Sequence, residues 1–385
     1  MKQIFFMPFS KLGLNANLTK ELSNKGYEKP YPIQQQAIPA ILKGKDLLGI
    51  AQTGSGKTDC FVLPILNNYV QKHQEKNRLI DVLVLVPTRE LAIQVETVFK
   101  SYNEVLSKPL NIKAVYGGVS INPQMKGLFG VNILIATPGR LIELYQSKAL
   151  GLNKVNTLVI DEADKMLNLG FKDEMDAILK LLPSKRQNLL FSATLSEKVH
   201  EINQLILNKP LIINIKPQED NVDLIEQRAY YVQDERKGPL LRHLLESENM
   251  QQVLIFTSST FKADNVAKKL KNNNIQAVSI HSKKSQGART DALVKFKNGN
   301  MRVLVTTDLL ARGIDIAFLP FVINYELPRS PKDFIHRIGR TGRADNPGKA
   351  YTFISEAEEH HFTVIEKKMR KTVEIIDGDK LVLGL

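Results

Sequence analysis

Residues 51–58 read Ala-Gln-Thr-Gly-Ser-Gly-Lys-Thr, and this stretch constrains the fold more than any other. An apolar segment precedes it, and apolar residues at helical spacing follow it. A strand, a glycine-rich turn ending in Gly-Lys-Thr and a helix together predict a phosphate-binding loop. In such a loop Lys57 reaches the β- and γ-phosphates and Thr58 holds Mg²⁺. The residues whose backbone would line the loop are Ala51, Gln52, Thr53, Gly54, Ser55 and Gly56. An ordinary glycine-rich turn is the alternative, which the motif and its context disfavour.

Short, continuous apolar runs recur along the chain, and helical segments separate most of them. Continuous apolarity predicts strands covered on both faces, and hence a mostly parallel α/β sheet. The polar stretch 216–224 interrupts this rhythm, and the pattern then starts again. We therefore expect two α/β domains, 1–215 and 225–385, with a linker between them. We read residues 256–260 as the first strand–helix turn of the second half. That turn lacks Gly-Lys-Thr, so one ATP site is expected rather than two.

Polar clusters directly follow several of the apolar runs, which is where ligands bind in an open α/β sheet. One acidic cluster begins at Asp161, a position that suits a Mg²⁺ ligand at a strand end. Glu162 would orient and deprotonate the attacking water. Asp164 would hydrogen-bond Ser192 or Thr194 and so couple the metal site to the rest of the domain. From the tetrapeptide alone, a solvated acidic turn is an equal alternative.

Residues 336–343 of the second half read His-Arg-Ile-Gly-Arg-Thr-Gly-Arg. On a helix, His336, Arg340 and Arg343 would share one face. Arginine forks suit phosphate, so Arg340 and Arg343 are candidate arginine fingers that complete the ATP site when the two domains close. The alternatives are a structural ion-pair helix and a basic patch that faces nucleic acid.

Other small, hydroxylic or basic residues lie near strand ends and suit phosphates and sugars rather than bases. They are Arg89, Gly117, Gly118, Thr137, Arg140, Gln286, Arg289 and Thr307. The net charge of +13 also suggests a polyanionic partner. The chain has no Trp and no aromatic-rich stacking platform, so we expect sequence-independent backbone contacts. No apolar run is long enough for a transmembrane helix, which favours a cytoplasmic protein without a membrane partner.

These motifs together make the chain closely similar to the DEAD-box ATP-dependent RNA helicases of superfamily 2. They appear in the family's order, at Gly26–Gln34, Ala51–Thr58, Pro87–Ala92, Gly117–Gly118, Thr137–Arg140, Asp161–Asp164, Ser192–Thr194, Ile255–Thr257, Gln286 with Arg289, Thr307–Asp315 and His336–Arg343. The segments 118–125 and 284–290 resemble the bacterial RhlE-type branch in particular. The resemblance implies two tandem RecA-like domains, with the phosphate loop in the first only.

The resemblance also implies roles that spacing does not give. Phe9 and Tyr27 would pack around adenine, and Gln34, whose amide both donates and accepts, would read its edge. Asp315 would contact the nucleotide from the second domain, and His336 would link RNA, ATP and domain closure. The RNA-binding set implied by the motifs is Thr88, Arg89, Gly118, Thr137, Gly139, Arg140, Gln286, Arg289 and Thr307.

Three positions depart from the family pattern. Tyr31 stands where Thr is usual, and its ring displaces the hydroxyl that supports the phosphate loop. Asp59 stands where a small apolar residue is usual, and we hypothesise that a carboxylate beside the phosphates weakens ATP binding. Ser282 stands where Gly is usual.

The function expected from the resemblance is RNA-stimulated ATP hydrolysis coupled to local unwinding of short RNA duplexes or remodelling of RNA–protein complexes. ATP and Mg²⁺ are the expected cofactors. We expect a monomer, with ribosome-assembly or RNA-decay factors as protein partners. Two alternatives stay open at this point: an ATP-gated RNA clamp with little unwinding, and a DNA helicase of the same superfamily.

Overall fold

The computed structural model of this protein describes residues 8–52, 54–69, 77–215, 225–308, 319–342 and 348–381. The chain divides into two compact units, Met1–Pro217 and Gln218–Leu385. This division falls inside the stretch that we expected to be a linker, 216–224, whose own residues lie outside the described ones.

The first unit is built on a parallel sheet of seven strands. The strands are β1 (Leu47–Ile50), β2 (Val82–Leu85), β3 (Ile112–Val115), β4 (Ile133–Ala136), β5 (Thr157–Ile160), β6 (Gln187–Ser192) and β7 (Leu211–Asn214). Their order across the sheet is β3-β4-β2-β5-β6-β1-β7. In register, Leu48 of β1 lies between Leu190 of β6 and Ile212 of β7.

Helices cover both faces of this sheet. They are α1 (Ala16–Asn24), α2 (Pro32–Leu42), α3 (Lys57–Tyr69), α4 (Arg89–Asn103), α5 (Asn122–Lys126), α6 (Pro138–Gln146), α7 (Ala163–Asn168), α8 (Lys172–Leu181) and α9 (Glu197–Ile206), with a short 3₁₀ helix at Phe9–Lys11. Because both faces are covered, strands β1, β2, β4 and β5 are buried along their whole length. This explains why the sequence shows continuous rather than alternating apolar runs.

The second unit contains another parallel sheet of seven strands. The strands are β8 (Ile225–Tyr231), β9 (Val253–Phe256), β10 (Ala277–Ile280), β11 (Val303–Thr306), β12 (Phe321–Asn324), β13 (Gly348–Ile354) and β14 (Glu374–Asp377). Its helices are α10 (Lys237–Ser247), α11 (Thr260–Asn272), α12 (Gln286–Lys297), α13 (Pro331–Ile338) and α14 (Glu359–Met369), with a 3₁₀ turn at Glu356–Glu358. The strand order is β10-β11-β9-β12-β13-β8-β14.

The two sheets therefore have the same strand order, with β8 in the place that β1 occupies in the first sheet. The turn that corresponds to the glycine-rich loop is 232–236, between β8 and α10. Our assignment of that turn to residues 256–260 was wrong, because those residues follow β9, which corresponds to β2. The sequence did not reveal that turn 232–236 corresponds to the β1–α3 loop, because no glycine-rich motif marks it.

Aromatic packing fixes the helix that follows the glycine-rich loop. The ring of Phe61, on α3, lies 6.1 Å from Phe99 of α4 and 5.5 Å from Phe191 of β6, measured between ring centroids. All three rings are fully buried. Since α3 begins at Lys57, this packing also places Lys57 at the carboxyl end of the sheet.

Candidate active site

The loop between β1 and α3 turns on two glycines in the left-handed region, Gly54 at φ 78° and Gly56 at φ 81°. The loop begins where the backbone N–H of Ala51 donates to the carbonyl oxygen of Ser192, which ties it to β6. Ser55 closes the loop through a hydrogen bond from its Oγ to the Gln52 carbonyl oxygen at 2.7 Å. Thr53, the remaining predicted loop residue, lies outside the described residues.

Lys57 is the first residue of α3, and its side chain is buried. Its Nζ donates to the carbonyl oxygens of Ala51 and Gln52, at 2.5 and 2.8 Å. Burial lowers the pKa of the Lys57 ammonium, and the negative charges of the 161–164 cluster oppose that shift. The ammonium therefore lies inside the loop next to the acidic cluster, where a phosphate oxygen can replace a backbone carbonyl as its partner.

Asp161 follows β5 and is 3% exposed. Its Oδ1 accepts a hydrogen bond from the backbone N–H of Glu162 at 2.9 Å. Burial, together with the charge of Glu162, raises the pKa of Asp161 to about 6, although Lys57 draws it down in part. A buried carboxylate of this kind is costly unless a cation lies beside it. A carboxylate and the hydroxyl of Thr58 are hard oxygen ligands, so these residues fit Mg²⁺.

The described residues contain no group of three or more His, Cys, Asp or Glu side chains that would form a metal cage. Mg²⁺ is usually held by one or two carboxylates together with substrate phosphates and water rather than by such a cage.

Glu162 adopts a left-handed backbone conformation, with φ 52° and ψ 48°, at the start of α7. Such a conformation costs a residue other than glycine about 1–3 kcal/mol, and residues held this way are concentrated at functional sites. Its Oε2 accepts a hydrogen bond from Lys165 Nζ at 2.7 Å. Asp161 and Glu162 therefore lie side by side in the tight turn between the end of β5 and the start of α7.

Asp164 lies in the first turn of α7 and contacts the loop after β6. Its Oδ2 accepts a hydrogen bond from Thr194 Oγ1 at 2.9 Å. Ser192 does not reach Asp164 in this way. Its Oγ donates to the Thr194 carbonyl oxygen at 2.7 Å and so shapes the same loop. Of the two partners expected for Asp164, the structure selects Thr194.

Gln34 is fully buried at the start of α2 and bridges two backbone segments. Its Oε1 accepts from the Tyr31 N–H at 2.9 Å, and its Nε2 donates to the Gly56 carbonyl oxygen at 3.2 Å. The ring of Tyr31 also lies against the loop, because a Cβ added to Gly56 would come within 2.7 Å of Tyr31 Cδ2. Tyr31 thus contacts the phosphate loop through its ring in place of the small hydroxyl side chain.

Phe9 and Tyr27 belong to one hydrophobic cluster of the first unit. Phe9 is 5% exposed in the 3₁₀ helix, whereas Tyr27 is half-buried at the edge of the cluster. Gly26, at φ 79°, ends α1, and the Tyr27 N–H donates to the Leu22 carbonyl oxygen at 3.0 Å. This cap fixes the backbone at Tyr27.

Asp59 lies in the first turn of α3 and is 8% exposed. Burial raises the pKa of Asp59 to about 6, and Tyr102 and Lys25 draw it down in part. The hypothesis that this carboxylate weakens ATP binding stays a prediction. Cys60 is buried, and its Sγ donates to the Gly56 carbonyl oxygen at 3.3 Å.

Several predicted RNA-binding residues of the first unit lie near the ends of β2 and β3. Thr88 caps α4 by accepting the Leu91 N–H at 3.3 Å. The guanidinium of Arg89 lies against Gly118, because a Cβ on Gly118 would come within 2.5 Å of Arg89 Nη2. Gly118 also needs its φ of 77°, so two separate constraints keep a side chain away from this position.

The start of α6 forms a second group of predicted RNA-binding residues. Thr137 is buried, and its Oγ1 accepts the Gly117 N–H at 3.3 Å. Arg140 is 5% exposed and donates to Glu143 and to the Val119 carbonyl oxygen, each at 2.8 Å. Its Nη1 is buried without a hydrogen-bond partner among the described residues. A Cβ on Gly139 would meet nothing within 4 Å, so open space lies beside this helix start.

Gln286 and Arg289, in the second unit, lie on the first turn of α12 and contact each other. Arg289 is 3% exposed, and its Nη2 donates to Gln286 Oε1 at 2.6 Å. Thr307, which follows β11, is half-buried, and its carbonyl oxygen accepts the Thr306 hydroxyl at 3.3 Å. The structure therefore brings Gln286 and Arg289 together at one helix start.

Helix α13 ends at Ile338, so the expected helical face through residue 343 was wrong. Gly339 caps the helix, and a Cβ there would lie 3.1 Å from the Ile335 carbonyl oxygen. His336 is exposed on the helix, and Arg340 is half-buried on the turn that follows. Two more predicted site residues of this unit, Arg343 and Asp315, lie outside the described residues.

Arg337 is a buried residue of α13 that the sequence did not single out. It is 2% exposed and forms a two-pronged ion pair with Asp308, at 2.6 and 2.7 Å. Its Nη1 donates to Asn324 Oδ1 and to the Glu326 carbonyl oxygen. The guanidinium lies 4.9 Å from the ring centroid of Phe256. These contacts are all within the second unit, so Arg337 has a structural role.

Lys237 is the first residue of α10 and therefore corresponds to Lys57 in the shared strand order. It is 3% exposed, and its Nζ lies 2.8 Å from Asp234 Oδ1 and 3.1 Å from Glu358 Oε2. The turn before it, 232–236, contains no glycine. The second unit thus has a lysine at the equivalent position, with two carboxylates of its own around it.

Comparison with known proteins agrees with this geometry. The DEAD/DEAH box helicase family matches residues 31–202, and the helicase conserved C-terminal domain matches residues 236–345. The ATP-dependent RNA helicase CshA of Listeria monocytogenes is 39% identical over 367 residues, which cover 95% of this chain and 69% of that protein. The DEAD-box ATP-dependent RNA helicase CshA of Bacillus subtilis is 39% identical over 368 residues, which cover 95% and 73%.

Solved structures of similar proteins share this fold. S. cerevisiae Dbp5 bound to RNA and ADP BeF3 superposes with a TM-score of 0.82 at 28% identity, covering 97% of this chain and 96% of that one. A DEAD box protein from the hyperthermophile Methanococcus jannaschii has a TM-score of 0.55 at 34% identity, covering 97% and 99%. The two sheets described above are thus two tandem RecA-like domains.

The chain belongs to the DEAD-box family of ATP-dependent RNA helicases. It is accordingly an ATP-hydrolysing enzyme, and neither the DNA-helicase nor the clamp alternative is favoured by these relatives. The relatives named here are called CshA, so the expected RhlE-type branch is not confirmed. Among the described residues, no helix is long and apolar enough to cross a membrane.

Proposed function

We propose that this chain couples the hydrolysis of one ATP, bound with Mg²⁺ in the first domain, to the local unwinding of short RNA duplexes. The observation that carries the proposal is the convergence of Lys57, Asp161 and Glu162 at the carboxyl ends of β1 and β5. Lys57 would pair with the β- and γ-phosphates, and Thr58 and Asp161 would hold Mg²⁺. Mg²⁺ held by these residues would supply positive charge that offsets the charge of the phosphates. Glu162 would orient the attacking water and accept its proton.

The base of ATP is proposed to lie between Phe9 and Tyr27. One N–H and one lone pair of the Gln34 amide are taken up by hydrogen bonds within the protein. The amide therefore keeps one further donor and one further acceptor for an adenine edge. Because the same amide holds Gly56, base recognition and loop geometry would be linked through one side chain.

RNA is proposed to bind through its backbone, in keeping with the RNA named in the Dbp5 complex. The start of α6 supports this proposal for the first domain. Open space lies beside Gly139, no side chain caps the start of this helix, and Arg140 has a buried N–H with no partner among the described residues. Both features suit a phosphate oxygen. Gln286, Arg289 and Thr307 would hold RNA in the second domain, and Thr88, Arg89, Gly118 and Thr137 in the first.

Hydrolysis is proposed to require both domains. Arg340 and Arg343 would stabilise transition-state charge as arginine fingers, and Asp315 and His336 would connect nucleotide, RNA and domain closure. Asp164, Ser192 and Thr194 would transmit the state of the metal site, since Asp164 and Thr194 share a hydrogen bond. We propose a monomer that acts in the cytoplasm, with ribosome-assembly or RNA-decay factors as partners.

Steady-state ATP hydrolysis without nucleic acid, with RNA and with DNA of matched sequence tests this function. RNA should stimulate the native protein, and Glu162→Gln should lower the stimulated rate about 10²- to 10⁴-fold, the usual worth of a general base. Asp173→Asn, which changes an exposed acid on α8, is the matched control and should retain activity. Equal hydrolysis without RNA would contradict the requirement for both domains. A short RNA duplex that is not separated with ATP would contradict unwinding.

A further inference from the structure

Asp264, on α11, is an acid of the second domain that the proposed chemistry does not use. Its Oδ1 accepts a hydrogen bond from Ser279 Oγ at 2.6 Å. The same oxygen lies 3.0 Å from His281 Nε2 and 2.8 Å from Lys284 Nζ. Ser279 and His281 are buried, whereas the Asp264 side chain is 44% exposed. We call the four side chains Asp264, Ser279, His281 and Lys284 the α11 clamp, because one carboxylate of α11 holds three side chains of the segment 279–284.

The α11 clamp holds the segment that leads from β10 into α12. Ser279 belongs to β10, and Lys284 directly precedes Ser285. Ser285 caps α12, because its Oγ accepts the Ala288 N–H at 3.3 Å. Within the segment, the Lys284 N–H donates to the His281 carbonyl oxygen at 3.0 Å. The path from the sheet to the helix cap is therefore fixed at both ends by one side chain of another helix.

The first turn of α12 carries the predicted RNA-binding pair of this domain. Arg289 donates to Gln286 Oε1 at 2.6 Å within that turn. The apolar residues that anchor α12 in the core, Ala292 and Phe296, lie beyond the first turn. Gly287 is exposed, and a Cβ there would meet nothing within 4 Å, so open space lies beside the turn. The α11 clamp is therefore the contact next to this turn that can set its position.

We propose that Asp264 is a positioning residue for RNA binding, which holds the start of α12 so that Gln286 and Arg289 meet the RNA backbone. The inference rests on the proposed contacts of Gln286 and Arg289 with RNA. Its expected effect has the opposite sign to simple electrostatics. A carboxylate near bound RNA repels the phosphates, so its removal would strengthen binding if charge alone mattered. If Asp264 acts by positioning, its removal weakens binding.

The test measures the dissociation constant of a labelled single-stranded RNA by fluorescence anisotropy, with Mg²⁺ and a non-hydrolysable ATP analogue present. Asp264→Ala should weaken RNA binding about three- to tenfold, the usual worth of one hydrogen bond. Asp264→Asn keeps an acceptor for Ser279 and should lose less. The matched control is Asp291→Ala, which removes an exposed acid of α12 that pairs only with Lys295 among the described residues, at 2.8 Å. This control should bind RNA at least as tightly as the native protein.

Kinetics separate positioning from a merely structural role. The KM for RNA in ATP hydrolysis should rise in Asp264→Ala, while kcat at saturating RNA stays the same, because only binding is lost. A partly unfolded protein would instead show a lower kcat with an unchanged KM, and that result would overturn the proposal. Ser279→Ala removes one hydrogen bond of the clamp without changing any charge. It should raise the KM for RNA in the same direction, and it provides a folded variant if Asp264→Ala does not fold.

A variant that carries both Gln286→Ala and Arg289→Met separates the possible failures. If it weakens RNA binding while Asp264→Ala leaves binding unchanged or strengthens it, the inference is refuted and the proposed RNA contacts stand. Adding Asp264→Ala to this variant should weaken RNA binding no further, because the residues that it positions are already gone. A further loss would mean that Asp264 acts by another route, which overturns the proposal. If the variant binds RNA like the native protein, the proposed contacts and the inference that rests on them both fail.

Discussion

Replacing Arg337 with Met is expected to destabilise the second domain without touching the chemistry directly. The side chain is 2% exposed and ends in an ion pair with Asp308, whose side chain is 28% exposed. Met fills a similar volume but leaves that carboxylate unpaired, and it leaves the amide oxygen of Asn324 and the carbonyl oxygen of Glu326 without their donor. Removing one partner of a buried ion pair costs about 3–5 kcal/mol, and the partial exposure of Asp308 favours the lower value.

A loss of about 3 kcal/mol corresponds to a fall in Tm of roughly 6–12 °C for a domain of this size. Thermal unfolding followed by circular dichroism measures that shift, and hydrogen exchange at β12 and β13 assigns it to the second domain. Arg337→Lys keeps the charge but loses the fork geometry, so it should fall between the native protein and Arg337→Met.

Arg340→Met is the matched comparison, since Arg340 is half-buried on the turn just after the same helix. Its Tm should stay within a few degrees of the native value, while RNA-stimulated ATP hydrolysis should fall sharply if Arg340 is an arginine finger. The reasoning is refuted if Arg337→Met melts like the native protein and still loses ATP hydrolysis, because Arg337 would then act on a ligand.

Two further outcomes are expected. Gly56→Ala should weaken ATP binding and lower the Tm, because the φ of Gly56 is 81° and a Cβ there would come within 2.5 Å of Gln34 Nε2. Gly139→Ala is the control and should leave the Tm unchanged, because a Cβ on Gly139 would meet nothing within 4 Å. Burial opposes ionisation of Asp264, but hydrogen bonds from Lys284, Ser279 and His281 hold its pKa well below the usual range. A depressed pKa stabilises the folded state above the unfolded-state value, so the Tm advantage of the native protein over Asp264→Asn should be present at pH 7 and shrink as the pH falls below about 4. A difference that is constant with pH would contradict this.

The strands were predictable because burial on both faces leaves a continuous apolar run in the sequence. The run at Val82–Val86 and the strand Val82–Leu85 illustrate this agreement. Strand β14, Glu374–Asp377, was missed for the same physical reason: it lies at the edge of its sheet, largely exposed, and therefore needs no apolar run.

Site residues were predictable where backbone geometry demands a particular residue type. Gly54 and Gly56 mark a turn that needs left-handed conformations, and Asp161 marks a strand end. Side-chain direction was not predictable from spacing. Spacing left both Ser192 and Thr194 open as partners of Asp164, and only the fold brings the Thr194 hydroxyl within 2.9 Å of that carboxylate.

Lys237 shows why a second sheet with the same strand order need not make a second ATP site. A phosphate loop needs an ammonium whose partners can be exchanged and backbone N–H groups that turn inward. Lys57 meets the first need, because its Nζ is held by neutral carbonyl oxygens of Ala51 and Gln52. Lys237 does not, because Asp234 and Glu358 already neutralise it, and its hydrogen bond holds the pKa of Asp234 below the usual range. A phosphate arriving there would meet two carboxylates that already pair directly with the ammonium. A turn without glycine also has no residue that readily adopts the left-handed conformations that direct N–H groups toward a phosphate.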